Sequence, residues 1–288
     1  MARAVVVLVL LLAGCSRPEP DLPAFAPEPV EAAGLHNVFR LTPTLLSGST
    51  PEGDAGFRSL VALGVRTVVT VDGAAPDVAT AKRFGLRYVH LPVGYDGVPA
   101  ERAAALAAAV RDLPGPVYVH CHHGKHRGPA AAVAAARCLD ARCSAAAAVE
   151  FLTRAGTDPR YPGLYAAAER PPTAPAAGEL PEVAAVPDLV RLMVDVDERW
   201  DRLKAAAAAG WPDRPVAAAD AVVLGEHYRE AARLAADRGD EFRTLLGRAE
   251  AAAGELEAAV RAGRDAGPAV RASAATCTAC HAKFRDTR

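Results

Sequence analysis

Apolar and polar positions follow two different rhythms along this chain. Up to about residue 169, short apolar runs of strand length are interleaved with stretches of helical period. Thr67–Asp72 (TVVTVD), Leu86–Leu91 (LRYVHL) and Val117–His120 (VYVH) are rich in β-branched and aromatic residues, and they predict strands. Val38–Leu41 and Leu45–Ser47 predict an entry hairpin. Phe57, Leu60, Val61 and Leu63 recur at helical spacing, as do Leu106 and Val110 ahead of Pro114. Such alternation implies an α/β domain over residues 35–169, with a mainly parallel sheet flanked by helices.

Beyond residue 187 only the helical rhythm remains. Leu189, Leu192, Met193, Val196, Trp200 and Leu203 fall on one stripe, and Phe242, Leu245, Leu246, Ala249, Leu256 and Val260 on another. Val222, Val223 and Leu234 mark a third helix; Val270, Ala274, Cys277, His281 and Phe284 mark a last one. Short breaks at Gly210–Pro215, Arg238–Asp240 and Gly263–Pro268 separate them, so residues 188–288 predict an all-α antiparallel four-helix bundle. The stretch between the two regions, RPPTAPAAGELPEVAAVP at 170–187, opposes helix and sheet through its prolines and reads as a linker.

The first fifteen residues, MARAVVVLVLLLAGC, place one arginine before an apolar run that ends in small residues. That is the layout of a secretory leader, too short for a membrane-spanning helix. The ending Leu12-Ala13-Gly14-Cys15 resembles the bacterial lipobox. This resemblance implies a signal peptide over 1–14 and lipidation of Cys15, with residues 15–34 as a Pro-rich tether on an exported, membrane-anchored (periplasmic or cell-surface) chain. A plain secretory leader or an uncleaved anchor is the alternative.

Composition narrows the classes further. The chain has 288 residues, 51% of them hydrophobic, which excludes disorder throughout. Its 33 basic and 34 acidic residues give no electrostatic reason to expect nucleic acid as a partner. Six cysteines are too few for a disulfide scaffold of this length. Cys138 and Cys143 would share one helix, a poor geometry for a disulfide.

The run His120-Cys121-His122-His123-Gly124-Lys125-His126-Arg127-Gly128 follows a predicted strand and precedes an alanine-rich helix. A loop in that place turns backbone N–H groups and a helix N-terminus toward one spot, which suits an oxyanion and a thiolate. The HCxxGxxR pattern resembles the loop of cysteine-dependent protein tyrosine and dual-specificity phosphatases, and is most like the atypical plant and fungal members. The resemblance implies Cys121 as nucleophile and Arg127 as phosphate clamp. It implies a binding rim of His122, His123, Gly124, Lys125 and His126. The general acid such enzymes need is assigned to Asp96, in the Gly/Pro-rich LPVGYDGVP, over Asp72 and Asp77. The implied substrates are phosphorylated: a phosphotyrosine protein or an inositol polyphosphate. One position departs from the pattern. Relatives carry Ser or Thr after the arginine, to help the thiolate leave; this chain has Gly128.

Cys277-Thr278-Ala279-Cys280-His281 is the attachment sequence of a c-type haem. Cysteines three apart share a helix face and can form two thioethers, and the adjacent imidazole can ligate iron. Half of a zinc site or a redox Cys-x-x-Cys is the alternative. The motif's place on the last helix, followed by Phe284 and Arg285, resembles cytochrome c′. That resemblance implies covalent haem c on Cys277 and Cys280, iron on His281, and Arg285 near the haem. It also implies a redox partner and a homodimer. Met193 on the first bundle helix is a candidate sixth ligand and His227 a weaker one. Two functions remain. One is an exported phosphatase fused to a haem domain for electron transfer or redox or gas sensing. The other is a haem protein whose α/β domain only binds anions.

Overall fold

Pairing of the short apolar runs builds one sheet. The computed structural model describes residues 25–172, 176 and 178–285; the leader, Cys15 and the rest of the first half of the tether lie outside the described residues. The strands are β1 (Glu28–Ala32), β2 (Leu35–Thr42), β3 (Leu45–Gly48), β4 (Thr67–Thr70), β5 (Arg87–His90) and β6 (Val117–His120). They lie in the order β1-β2-β3-β6-β4-β5. The β1–β2 and β2–β3 pairs are antiparallel, and the remaining pairs are parallel. The sheet is therefore mixed, because the entry hairpin sets β2 antiparallel to β3, and a further strand pairs on the outer side of that hairpin. That strand, β1, falls in the stretch expected to be tether. Its Pro29 is tolerated because β1 is an edge.

Each face of the sheet is covered. Helices α1 (Gly53–Ala62) and α2 (Val78–Arg83) pack over Leu46, Val68, Tyr88 and Tyr118. Helices α3 (Ala100–Asp112), α4 (Arg127–Leu139), α5 (Ala145–Arg154) and α6 (Pro162–Glu169) pack over Val69, Val89, Leu91, Val117 and Val119. Neighbours such as Val68 and Val69, or Tyr118 and Val119, enter opposite cores, as the pleat requires. Asp77 is a structural cap; its carboxylate accepts from Thr80 N at 2.9 Å.

The Pro-rich stretch is partly docked. His90 N donates to Pro181 O at 2.8 Å, and Ala184 N donates to His90 Nδ1 at 3.1 Å. Lys82 pairs with Glu182 at 2.8 Å. The second half of the expected linker thus runs beside β5.

Four helices follow: α7 (Asp188–Ala208), α8 (Arg214–Leu234), α9 (Asp240–Arg261) and α10 (Gly267–Phe284). Trp200, Leu203, Leu224, Tyr228, Phe242, Leu246, Leu256 and Val260 share one core. Each helix packs on the next, but α7 and α10 do not pack closely against one another. Of α10 only Ala269 and Ser273 are buried. The helical region thus has one open side, between its first and last helices. Among the described residues no helix is long and apolar enough to cross a membrane.

Candidate active site and haem anchor

The sharp step from β6 into α4 is made possible by glycines. Gly124 has φ +70°, and a Cβ there would lie 2.4 Å from the Gly48 carbonyl carbon. The loop is braced from outside. Asn37 Nδ2 donates to Gly124 O at 2.9 Å and to Ala155 O at 2.8 Å, and Thr157 Oγ1 donates to Lys125 O at 2.7 Å. Cys121 sits at the base of the loop, 4% exposed. His120 beneath it is buried and pairs with the Tyr88 hydroxyl at 2.6 Å; burial pushes its pKa down to about 4. Gly128 lies in the first turn of α4, and a Cβ there would lie 3.4 Å from Cys121 Sγ.

Arg127 is held by a residue that sequence reasoning set aside. Its Nη2 donates to Asp72 Oδ2 at 2.8 Å, and the same oxygen accepts the His122 N–H at 2.8 Å. Asp72 Oδ1 accepts from Gly73 N at 2.6 Å and Ala74 N at 3.3 Å. Burial alone would raise the Asp72 pKa. Arg127 and the three amides outweigh it and hold the carboxyl below its usual range. Arg127 Nε is buried with no hydrogen-bond partner, a spare donor electrostatically linked to Cys121. A phosphoryl oxygen would satisfy it.

The loop between β5 and α3 brings Tyr95 onto this arginine, with the Arg127 guanidinium 4.5 Å from the Tyr95 ring centroid. Asp96 follows on the same loop and is exposed. The loop is seated closely on the start of α6. A Cβ on Gly97 would lie 2.7 Å from Gly163 O. Close above Tyr95 lies Arg285, 3.5 Å from the ring centroid, whose Nη1 donates to the Tyr161 hydroxyl at 3.0 Å.

The rim differs from a ring of cations. His126 Nδ1 accepts from Asp158 N at 3.2 Å, and its ring packs 5.1 Å from that of Tyr161. Burial first, and Arg285 second, lower its pKa to about 4, so it is neutral at pH 7. His122 and His123 turn toward Asp201 of α7. Lys125 is exposed. The permanent positive charge is therefore that of Lys125, Arg127 and Arg285.

On α10, Cys277 and Cys280 are half-buried thiols and His281 is the next residue. Cys277 Sγ lies 3.7 Å from the Tyr228 hydroxyl. Asp197 of α7 acts electrostatically on both Cys277 and His281. Met193 lies one turn before Asp197 and is half-buried. His227 is instead coupled to Arg199 and Asp195, on another face of α7. Burial and then Arg285 lower the His281 pKa to about 4. Two thiols three residues apart, a neutral imidazole beside them and an uncovered helix face together fit a haem c. Arg285, expected at the haem, reaches past His281 to Tyr95 and Tyr161 of the α/β domain.

Cys138 lies in the last turn of α4 and Cys143 in the bend beyond it, so the two do not share one helix; neither is disulfide-bonded, and burial pushes the Cys143 thiol up to about 12. Tyr95, Tyr161 and Asp201 are site residues that sequence reasoning missed, and Asp72 is one that it weighed and set aside. Asp72 alone carried a signal, as an acidic residue at a strand end beside the expected loop.

No family model matches the chain. No curated protein matches it. Among solved structures, its N-terminal half is similar to TpbA of P. aeruginosa, with 26% identity over 47% of this chain and 89% of that one, at a TM-score of 0.40. A putative phosphatase from Shewanella putrefaciens is 22% identical over 47% of this chain and 92% of its own, at a TM-score of 0.39. The core catalytic domain of the PP-IP phosphatase SIW14 from S. cerevisiae is 16% identical over 44% of this chain and 79% of its own, at a TM-score of 0.38.

Proposed function

We propose that the chain is a cysteine-dependent phosphatase whose active site is covered by a haem-carrying helical domain. One observation carries the reading. Arg127 presents a buried, unpartnered Nε and interacts electrostatically with Cys121, which lies at the base of the same strand-to-helix loop. The Cys121 thiolate attacks phosphorus in line, forming an S–P bond as the P–O bond to the leaving group breaks. Asp96 donates a proton to that oxygen. Arg127 and the loop amides hold the equatorial oxygens. Water then attacks the phosphocysteine, Asp96 takes its proton, the S–P bond breaks, and phosphate leaves with the thiolate restored. Three rim cations favour a substrate with several negative charges, such as an inositol polyphosphate, over a phosphotyrosine protein.

Cys277 and Cys280 are proposed to carry haem c, and His281 to ligate its iron, with Met193 as the candidate sixth ligand. The haem would supply redox or gas-binding chemistry. The leader and Cys15 are proposed to export and lipidate the chain. Arg285, one turn beyond His281 and stacked on Tyr95, is a direct connection from the haem helix to the phosphate clamp. Gly128 favours the second reading, an anion-binding domain on a haem protein, because glycine supplies no hydroxyl to the departing thiolate.

Phosphate release by the haem-loaded protein, from residue 16 onward, tests this against phosphotyrosine peptide and inositol polyphosphate. Turnover abolished by Cys121→Ser supports the enzyme. Turnover no higher than in that variant, from folded protein, sinks it in favour of anion binding. Haem that stays bound after denaturation, and is lost in Cys277→Ala/Cys280→Ala, supports the thioether attachment.

A further inference from the structure

His122 and His123 are not needed for the transfer chemistry above, and their rings face the first helix of the bundle. His122 Nε2 lies 3.4 Å from Asp201 Oδ2 and His123 Nε2 4.0 Å from the same oxygen. The two imidazole rings are 4.3 Å apart, centroid to centroid. One donor atom from each of the three residues lies within 4.8 Å of the other two. As hydrogen bonds these are poor, since a charge-assisted imidazole–carboxylate bond closes to about 2.8 Å. A carboxylate oxygen flanked by two imidazole nitrogens at such distances leaves a gap.

We propose that His122, His123 and Asp201 bind one divalent transition-metal ion of the zinc type, and that this ion fastens α7 to the loop carrying Cys121. Two imidazoles and a carboxylate are a donor set that such ions favour. Zinc–ligand bonds of about 2.0–2.1 Å in a tetrahedron set donors about 3.4 Å apart, so modest side-chain rotations complete the site. The carboxylate is already oriented. Lys204 Nζ holds Asp201 Oδ1 at 2.6 Å, which leaves Oδ2 toward the imidazoles, as outer partners of metal ligands do. Three protein ligands leave a fourth position for water. The ligands come from both domains, so occupancy reports whether the helical region is seated over the loop.

The test uses the haem-loaded chain, in which both α10 thiols are consumed, with Zn²⁺ followed by equilibrium dialysis and by its effect on melting temperature. The expected result is one Zn²⁺ per chain, with affinity lowered at least about tenfold in Asp201→Asn and in His123→Gln. Asp201→Asn is isosteric, so an unchanged metal-free melting temperature is the folding control, and it should lose the zinc-induced rise. Equal affinity in wild type and both variants would overturn the site. So would a zinc-induced rise in melting temperature of the same size in wild type and in Asp201→Asn. Neither outcome depends on phosphatase turnover.

Discussion

Arg285 and Arg127 sit on one ring: their guanidinium carbons lie 3.5 Å and 4.5 Å from the centroid of Tyr95. One cation belongs to α10, the helix proposed to carry haem, and the other is the proposed phosphate clamp, so the tyrosine would join the two chemistries. A partly desolvated cation–π contact is worth about 1–2 kcal/mol. Replacing Arg285 with Ala should raise KM for an inositol polyphosphate about tenfold while changing kcat little. It should also remove any difference in rate between ferric and ferrous protein. Steady-state kinetics at both oxidation states check this, and a persisting redox dependence would exclude Arg285 as the route.

Asp72 and Arg127 form a pair whose side chains are 6% and 13% exposed. Substituting Asp72 with Asn leaves a buried guanidinium without its counter-charge and weakens the hold on the His122 amide. The expected loss is about 3–5 kcal/mol of stability. Activity should fall further than folding accounts for, because Arg127 is then mispositioned. Urea denaturation beside kinetics on the folded fraction separates the two effects.

Acid should weaken the α/β domain in a defined window. The folded pKa of His120 is about 4, below the 6.5 of an unperturbed histidine. Between those values the unfolded chain binds the extra proton, so stability is complete above pH 6.5 and is lost as pH falls toward 4. The loss is about 3 kcal/mol. Asp72, whose folded pKa is depressed, adds a loss below the usual carboxylate pKa. Denaturation midpoints from pH 7 to 4 should decline, and His120→Asn should flatten the first part of the decline.

Gly128→Ser tests the missing hydroxyl. A Cβ there would lie 3.0 Å from Cys121 N and 3.4 Å from its Sγ, so the serine fits with a small shift and stands beside the sulfur. Breakdown of the phosphocysteine should quicken. Rapid-quench kinetics should show less accumulated phosphoenzyme and a faster steady rate; unchanged breakdown would place the slow step elsewhere.

Local pattern made most elements legible. Val117–His120 matches β6 at both ends, and the helix breaks near Gly210, Arg238 and Gly263 fall where the apolar stripes stop. β1 was not legible, since Glu28–Ala32 has an edge strand's mixed composition and a proline. The loop carrying Cys121 and Arg127 was legible because its residues are consecutive. Asp72, Tyr95, Asp201 and the reach of Arg285 were not, because they meet only through the tertiary fold. The neutral state of His126 was not legible for the same reason: sequence cannot show that its ring packs against Tyr161 and lies near Arg285.

The proline-rich stretch beside β5 has a further consequence. β5 ends the sheet, and an exposed strand end-row is a template on which another chain can add. Pro181 accepts from His90 N and cannot itself donate, and Ala184 N is taken by the His90 ring. A segment too irregular to become a seventh strand thus occupies the row where a foreign strand would start. It guards the sheet against intermolecular growth as well as joining the two domains.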